Sequence, residues 1–247
     1  LFMAPVVGGA EPRFQRLGVN VLFGALLVVV AGSFAGEALA IHQKLGLDLS
    51  FWFGTQGYEY VDLGRAWQIA LFAGLLIWLG LMLRGLAPAL RRHDDARTLV
   101  LMFTGAATAI GLMYGAGFFF GARTHLSVME YWRWWVVHLW VEGFFEVFAT
   151  AVIAFLFTKL GLVRGKSATN AVLFATIVFL SGGVLGTFHH LYWTGTPTGV
   201  LSVGAIFSAL EVVPLVLVGF EAYDNYKHSY ASPWIAAYRW PILFFVA

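Results

Sequence analysis

Long apolar stretches separated by short polar or glycine-rich loops limit the fold of this chain more than any other feature. An apolar helix of about 20 residues crosses the hydrocarbon core of a bilayer. The chain is 60% hydrophobic and only 11% charged, so a water-soluble domain of 247 residues could not bury this much apolar surface. The sequence predicts an all-α, polytopic transmembrane helix bundle. Six full spans are expected, at residues 18–41, 66–90, 99–121, 129–158, 169–193 and 199–222.

Both ends of the chain carry shorter apolar segments. Leu1–Val7 has the composition of a helix end, and Gly8, Gly9 and Pro12 follow it closely. A further apolar segment begins near residue 234 and runs to the last residue, which makes it too short to span a bilayer. We therefore expect partial helices at both ends, and we interpret residues 1–247 as a single transmembrane catalytic-core segment from inside a longer chain.

Basic residues are distributed unevenly between the loops. Because successive spans cross in alternate directions, the loops form two sets, and cytoplasmic loops are the richer in Lys and Arg. One set holds Arg13, Arg16, Arg84, Arg91, Arg92, Arg97, Lys159, Arg164, Lys166 and Lys227, and the other holds Lys44, Arg65, Arg123 and Arg133. The sequence thus predicts which loops are cytoplasmic in a multi-pass protein of a bacterial inner membrane.

Three ionisable residues interrupt the apolar stretch at 129–158. His138, Glu142 and Glu146 are spaced by four, and each step of four on an α-helix rotates by only about 40°. The three side chains are therefore expected on one stripe. Since an ionisable group inside a membrane is unfavourable unless it is paired or ligated, such a stripe indicates function. His189 and His190 follow in the next span, at the same predicted depth, in the outer (periplasmic) third of the membrane.

Three imidazoles and a carboxylate form a donor set that suits iron(II) or another divalent metal. His138 and Glu142 alone would also fit a buried hydrogen-bonded pair. Adjacent histidines diverge by about 100° on an α-helix, so both reach one ion only if the helix is locally adjusted. Taken together, the residues predict a metal site, and its ligands are His138, Glu142, His189 and His190.

Glu146 and Glu211 are further carboxylates inside apolar stretches. Pro214 cannot donate a hydrogen bond to the carbonyl of Leu210, so a helix kink is expected beside Glu211. Either these glutamates relay protons to the metal, or they are protonated and hydrogen-bonded to neighbours. We favour the relay, because a buried reduction site needs protons.

The remaining polar and aromatic residues have simpler interpretations. Arg133 either pairs with an anionic group or extends to water. A net charge of +2 does not indicate a nucleic-acid partner, and the absence of cysteine excludes thiolate ligands. The tryptophans expected in an interfacial belt are Trp132, Trp134, Trp135 and Trp140. The residues expected to be ordinary solvated loop side chains are His42, His93, His125, His228, Glu59, Asp62 and Arg65.

A His-x-x-x-Glu motif on one helix and a His-His pair on the next resemble the haem-copper oxidase superfamily. The usual motif has Tyr four residues after the first His, and Glu142 in that position resembles the nitric oxide reductase branch. Three stretches are similar to that branch: Trp132–Glu146, Gly186–Pro197 and Phe207–Leu215. A fourth, Gly57–Arg65, resembles its quinol-dependent, single-chain members.

The resemblance implies a non-haem iron held by the four metal ligands named above, with Glu142 as its carboxylate ligand. It implies that Glu146 and Glu211 handle protons near this iron. Glu59 matches a residue that helps to hold calcium between haem propionates in the cytochrome c-dependent branch. A low-spin haem b and a high-spin haem b3 are also implied, with their histidine ligands and the quinol site outside residues 1–247.

The activity implied by the resemblance is the reduction of two nitric oxide molecules to nitrous oxide and water, with electrons from quinol. The expected partners are the lipid bilayer, further helices of the same chain and a second copy in a homodimer. One alternative is an oxygen-reducing terminal oxidase, which the absence of Tyr at position 142 disfavours. The other is a proton-coupled membrane transporter without redox chemistry.

Overall fold

The computed structural model describes residues 1, 3–57, 61–93, 97–228 and 233–246. A few helical residues are described by their backbone only: Met3, Glu142, Phe144, Leu180, Ser181, Leu215, Asn225, His228, Trp234, Ile235, Pro241, Phe245 and Val246. Within this part of the chain the secondary structure is helical, apart from turns and one isolated bridge between Thr55 and Leu63. The predicted all-α class is therefore confirmed.

The helices follow one another with short connections. In chain order they are α1 (Met3–Gly8), α2 (Gln15–Ile41), α3 (Leu47–Phe53), α4 (Arg65–Leu90), α5 (Arg97–Met113), α6 (Leu126–Trp134), α7 (Phe145–Lys159), α8 (Gly165–Val178), α9 (Val184–Gly186), α10 (Thr198–Leu210), α11 (Val212–His228), α12 (Pro233–Ala237) and α13 (Arg239–Val246). Two 3₁₀ segments, Tyr114–Phe118 and Thr187–Thr194, and two π-helical segments, Trp135–Phe144 and Phe179–Gly183, complete them.

Five helices of the described chain are long and apolar enough to cross a membrane: Gln15–Ile41, Arg65–Leu90, Arg97–Phe118, Leu126–Lys159 and Thr198–Asp224. They correspond to five of the six predicted spans. The remaining prediction, at 169–193, falls on a region that is helical but changes type repeatedly. It passes from α8 through the second π segment and α9 into a 3₁₀ segment.

The chain divides into two compact units, of which the first comprises Leu1–Arg92 and Ala107–Trp140. Its aromatic core joins Tyr114 and Phe120 to Met129 and Val136, with the rings of several tryptophans packed around them. Glycines bring its helices close together. A Cβ on Gly36 of α2 would lie 1.7 Å from the carbonyl oxygen of Phe53 at the end of α3, so no side chain fits there.

Residues 42–65, which separate two predicted spans and were expected to form a loop, differ from that expectation in two respects. They contain the short helix α3, and the indole of Trp67 donates a hydrogen bond to the carbonyl of Phe53 at the end of that helix, at 2.9 Å. Arg65, expected as a solvated charge, is buried. Its guanidinium donates to the carbonyl oxygens of Gly117 and Phe120 and lies 5.1–5.5 Å from the centroids of three rings. The arginine therefore ties the start of α4 to the 3₁₀ end of the α5 span.

The second unit comprises His93–Ala106 and Val141–Ala247. Phe103 of α5 stacks on Phe148 of α7, with ring centroids 4.8 Å apart. Phe179 lies against two glycines: a Cβ on Gly143 would meet its ring at 1.6 Å, and one on Gly183 at 2.6 Å. Because these glycines have no side chain, the Phe179 ring packs directly against the helix backbone, and such close packing at small residues is common in membrane proteins.

Candidate metal centre

His138 lies in the first π-helical segment, Trp135–Phe144, and is fully buried. The predicted α-helical stripe is therefore wrong for this stretch. π-helical turns close hydrogen bonds from residue i to i+5 and are often found at functional sites. The wider turn changes the angle between His138 and residue 142. The backbone of Glu142 lies in the same segment, and its side chain is outside the described residues.

The adjacent histidines occupy a tighter kind of turn. His189 and His190 belong to the 3₁₀ segment Thr187–Thr194, and both are half-buried. Their ring centroids lie 3.9 Å apart with an angle of 37° between the ring planes. The two imidazoles are thus side by side rather than divergent, which is the local adjustment that the sequence required.

A glycine on α10 determines how closely the histidine segment is packed. A Cβ on Gly204 would lie 2.4 Å from the backbone nitrogen of His189 and 3.0 Å from the carbonyl carbon of Phe188. Thr187, at the start of the segment, donates its hydroxyl hydrogen bond to the carbonyl of Gly183 at 3.0 Å. The histidines are therefore held by backbone contacts on one side and by a buried side-chain bond at their N-terminal end.

His138 belongs to the first unit of the chain, and His189 and His190 belong to the second. Metal–imidazole bonds are about 2.0–2.1 Å long, so the ligands of one ion lie within about 4 Å of each other. The side-by-side rings of His189 and His190 are compatible with that spacing, and the addition of His138 to the same ion stays a prediction. Neutral imidazoles suit iron, zinc or another borderline divalent metal, so the residues present fit the predicted non-haem iron.

Glu211 lies at a break between two helices. α10 ends at Leu210 and α11 begins at Val212, but the backbone angles of Glu211 stay helical (φ −65°, ψ −27°), so the kink expected from Pro214 stays a prediction. The carboxylate is 9% exposed, and a Cβ on Gly183 would lie 3.1 Å from its Oε1. The absence of a side chain at Gly183 therefore leaves room for this carboxylate. Glu146 is half-buried in the first turn of α7.

A buried polar cluster lies just before His138, and it confirms that Arg133 pairs with an anionic group, although the sequence analysis did not name Glu130 as that group. The Glu130 carboxylate accepts a hydrogen bond from Arg133 at 2.8 Å and another from the Trp134 indole at 3.1 Å. The alternative in which Arg133 extends to water is wrong, because the side chains of Arg133 and Glu130 are each only 9% exposed. Trp134 is equally buried, so its ring contacts other protein groups. The signal was present as a Glu-x-x-Arg-Trp spacing, which places all three residues on one helix face.

The remaining predicted site residue, Glu59, lies outside the described residues. Its assignment to calcium stays a prediction. His125, expected as an ordinary loop residue, is exposed and precedes α6, where its Nδ1 accepts a hydrogen bond from the Ser127 amide at 3.3 Å. It therefore has a capping position at the start of the helix that carries His138.

Comparison with known proteins shows the family of the chain. The family described as "Cytochrome C and Quinol oxidase polypeptide I" matches residues 1–247. A protein of Stutzerimonas stutzeri, named as one of the chains of a nitric oxide reductase, is 31% identical over 233 residues. The match covers 93% of this chain and 45% of that relative, so the chain spans less than half the length of the relative. This multi-pass membrane chain therefore belongs to the cytochrome c and quinol oxidase polypeptide I family of the haem-copper oxidase superfamily, whose members are oxidoreductases with haem and metal cofactors.

Proposed function

We propose that the protein containing this chain is a nitric oxide reductase that takes electrons from quinol. The reaction joins two nitric oxide molecules, two electrons and two protons to form nitrous oxide and water. The observation that carries the proposal is the combination of His138 with the adjacent pair His189 and His190 in apolar helices of a chain that belongs to this family. Two further facts support it: a glutamate follows His138 by four residues, and the relative from Stutzerimonas stutzeri bears a nitric oxide reductase name.

The proposed ligands of the non-haem iron are these three histidines and Glu142. When bound, this iron and haem b3 would supply electrons and adjacent binding positions for two substrate molecules. The protein's part is to hold its ligands in place, because correct placement of two reactants removes much of the entropic barrier to bond formation. In this proposal the π segment sets the direction of the His138 imidazole, and the 3₁₀ segment sets that of His189 and His190.

We assign proton handling to Glu146 and Glu211. Each turnover consumes two protons, and a carboxylate can carry one proton at a time. Glu211 is buried between α10 and α11. Because Pro214 has no N–H, the carbonyl of Leu210 is available to accept a hydrogen bond from a protonated carboxyl group. Glu146, half-buried one turn beyond Glu142, is suited to exchange protons between more exposed groups and the metal centre.

The proposal extends to the rest of the protein. Haem b would pass electrons from quinol, calcium would be held at Glu59, and two copies would form a homodimer. The excess of Lys and Arg in one set of loops favours a position of His138, His189 and His190 in the periplasmic third of a bacterial inner membrane. Protons would then have the shorter path from the periplasm.

An oxygen-reducing terminal oxidase is the second candidate, because the matching family is described by its oxidases. Glu142 distinguishes the two, since the oxidase motif has Tyr at this position. The proton-coupled transporter loses support, because the family's members are oxidoreductases.

The test of the proposal is metal and haem analysis of the purified full-length protein, with nitric oxide consumption and oxygen uptake measured under a quinol donor. We expect non-haem iron beside two haems, and nitric oxide consumption that exceeds oxygen uptake. Copper in place of that iron, with oxygen uptake, would assign the protein to the oxidases. Absence of both metal and haem would refute the redox function.

The Glu142→Ala variant tests the fourth ligand. Loss of the carboxylate removes a donor and a negative charge from the metal, so we expect weaker iron binding and no nitric oxide consumption. Val141→Ala is the matched control, because Val141 is an exposed neighbour in the same π segment. Iron content should be measured in both. Wild-type iron and turnover in Glu142→Ala would show that the carboxylate is not a ligand.

A further inference from the structure

Two indoles flank His138 along its helix, and each donates a hydrogen bond. Four residues before the histidine, Trp134 donates to the Glu130 carboxylate at 3.1 Å. Two residues after it, Trp140 donates to the carbonyl of Ile110 in α5, and its ring lies 5.0 Å from that of Tyr114. The stretch that carries His138 is thus fixed on both sides by side-chain bonds.

The bond from Trp134 marks the point at which the helix changes type. Trp134 is the last residue of α6, and the π segment begins at Trp135. π-helical turns are rare and local, so an isolated segment would favour regular α-helix. A side-chain bond that holds the last α-helical turn determines where the wider turn starts, and hence which direction His138 faces.

Glu130 is well suited to fix that turn. Its carboxylate is charged, buried and bonded to two groups of its own helix, Arg133 at i+3 and Trp134 at i+4. The guanidinium lies 4.6 Å from the centroid of the Trp134 ring, so the same arginine also holds the indole from its face. Charge-assisted hydrogen bonds are about twice as strong as neutral ones, and little water competes for them here.

We propose that Glu130 is a positioning residue for the metal centre: with Arg133 it holds Trp134, and Trp134 sets the start of the π segment that presents His138 to the metal. This inference rests on the proposed function, because it assumes a metal at His138. It assigns to Glu130 no contact with metal or substrate. Its effect passes through the helix backbone to the imidazole.

The test compares three variants of the full-length protein. Trp134→Phe keeps an aromatic ring and the Glu130–Arg133 pair but removes the indole donor. Glu130→Gln keeps an acceptor for the indole and removes the charge that pairs with Arg133. Trp132→Phe is the control, because Trp132 is an indole of the same helix whose ring packs on Phe119 at 4.7 Å. Each is purified, and its haem content is measured as a check of folding.

The readouts are iron affinity and the X-ray absorption spectrum of the non-haem iron. Displaced supporting groups commonly weaken metal binding by 10-fold or more, so we expect a loss of about 10-fold in Trp134→Phe and Glu130→Gln. Their iron–ligand spectrum should change while haem content stays normal, and Trp132→Phe should match the wild type. If Glu130→Gln does not fold, Trp134→Phe still tests whether the indole bond positions His138.

Three results would contradict the assignment. Wild-type affinity and spectrum in Trp134→Phe would show that the indole bond does not position His138. An equal loss in Trp132→Phe would show a general effect of packing rather than of this cluster. A wild-type protein without iron at the histidines would instead refute the proposed function, and the inference with it.

Discussion

Glu211 illustrates how one polar side chain can be held inside an apolar helix. Its carboxylate lies where α10 ends and α11 begins, and the space beside it exists because Gly183 has no side chain. A buried carboxylate needs hydrogen-bonding partners, since burial without them is strongly unfavourable. A proline three residues later leaves the carbonyl of Leu210 without its usual helical donor, so this oxygen can accept a hydrogen bond from the carboxyl group when it is protonated. The position therefore favours a group that holds a proton without disturbing the surrounding packing.

Replacing Glu211 by Gln tests that role. The amide keeps the size and hydrogen-bonding capacity of the side chain but cannot carry a proton between groups. We expect unchanged iron and haem content and a fall in nitric oxide turnover of about 100-fold or more. Ser202→Ala, on an exposed face of α10, serves as the control. A wild-type rate in Glu211→Gln would show that Glu211 is structural.

Single residues also show what the sequence pattern could not predict. His138, His189 and His190 stood out because ionisable groups are rare in apolar spans. Arg65 did not, because a charged residue at the end of a span usually reaches water. Its burial depends on rings contributed by Phe51, Phe118 and Phe120, which are brought around it only by the fold.

At the scale of elements, helix type was the least predictable property. Apolar length and composition indicated where most of the long helices lie. Nothing comparable marks the π segments or the 3₁₀ segment that carries His189. The helix types with i+3, i+4 and i+5 hydrogen bonds differ by small free energies, so tertiary contacts such as those at Gly204 determine which type forms.

Gly204 offers a test of this dependence. An added Cβ in Gly204→Ala would meet the backbone of His189 at 2.4 Å, so α10 and the 3₁₀ segment must move apart. We expect loss of non-haem iron and a lower melting temperature of the full-length protein. Gly199→Ala is a matched control on the same helix, since nothing lies within 4 Å of its added Cβ.

The control should be neutral or slightly stabilising, because Ala is favoured over Gly in a helix by about 1 kcal/mol. Iron analysis and thermal unfolding, followed by the loss of helical circular dichroism, measure both variants. Retained iron in Gly204→Ala would mean that the histidine segment is held mainly by other contacts, such as the bond from Thr187 to Gly183.

At the scale of the whole molecule, the helix Leu126–Lys159 constrains how the protein lies in the membrane. Its 34 residues would extend about 50 Å as α-helix, which exceeds the roughly 30 Å of a hydrocarbon core. The loops at its two ends must therefore lie on opposite sides. The loop after it contains Arg164, and Lys166 follows in the first turn of α8, whereas Arg123 is the one Lys or Arg in the loop before it. The richer loop is predicted to be cytoplasmic.

Labelling of introduced cysteines tests this orientation. Residues 1–247 contain no cysteine, so once any cysteines elsewhere in the protein are replaced, Arg123→Cys and Lys166→Cys each add a single thiol at an exposed position. We expect a membrane-impermeant maleimide to label position 123 when the outer membrane alone is permeable, and position 166 only after the inner membrane is broken. Because one helix joins the two positions, they act as controls for each other.

The reverse labelling pattern would place the proposed metal centre in the cytoplasmic third and would give protons their shorter path from the cytoplasm. It would leave the metal ligands and the reaction unchanged, since those follow from side chains rather than from orientation. Labelling of both positions from one side would contradict the span itself. The orientation of the protein and the chemistry of its centre are therefore separable predictions, and the two sets of experiments can fail independently.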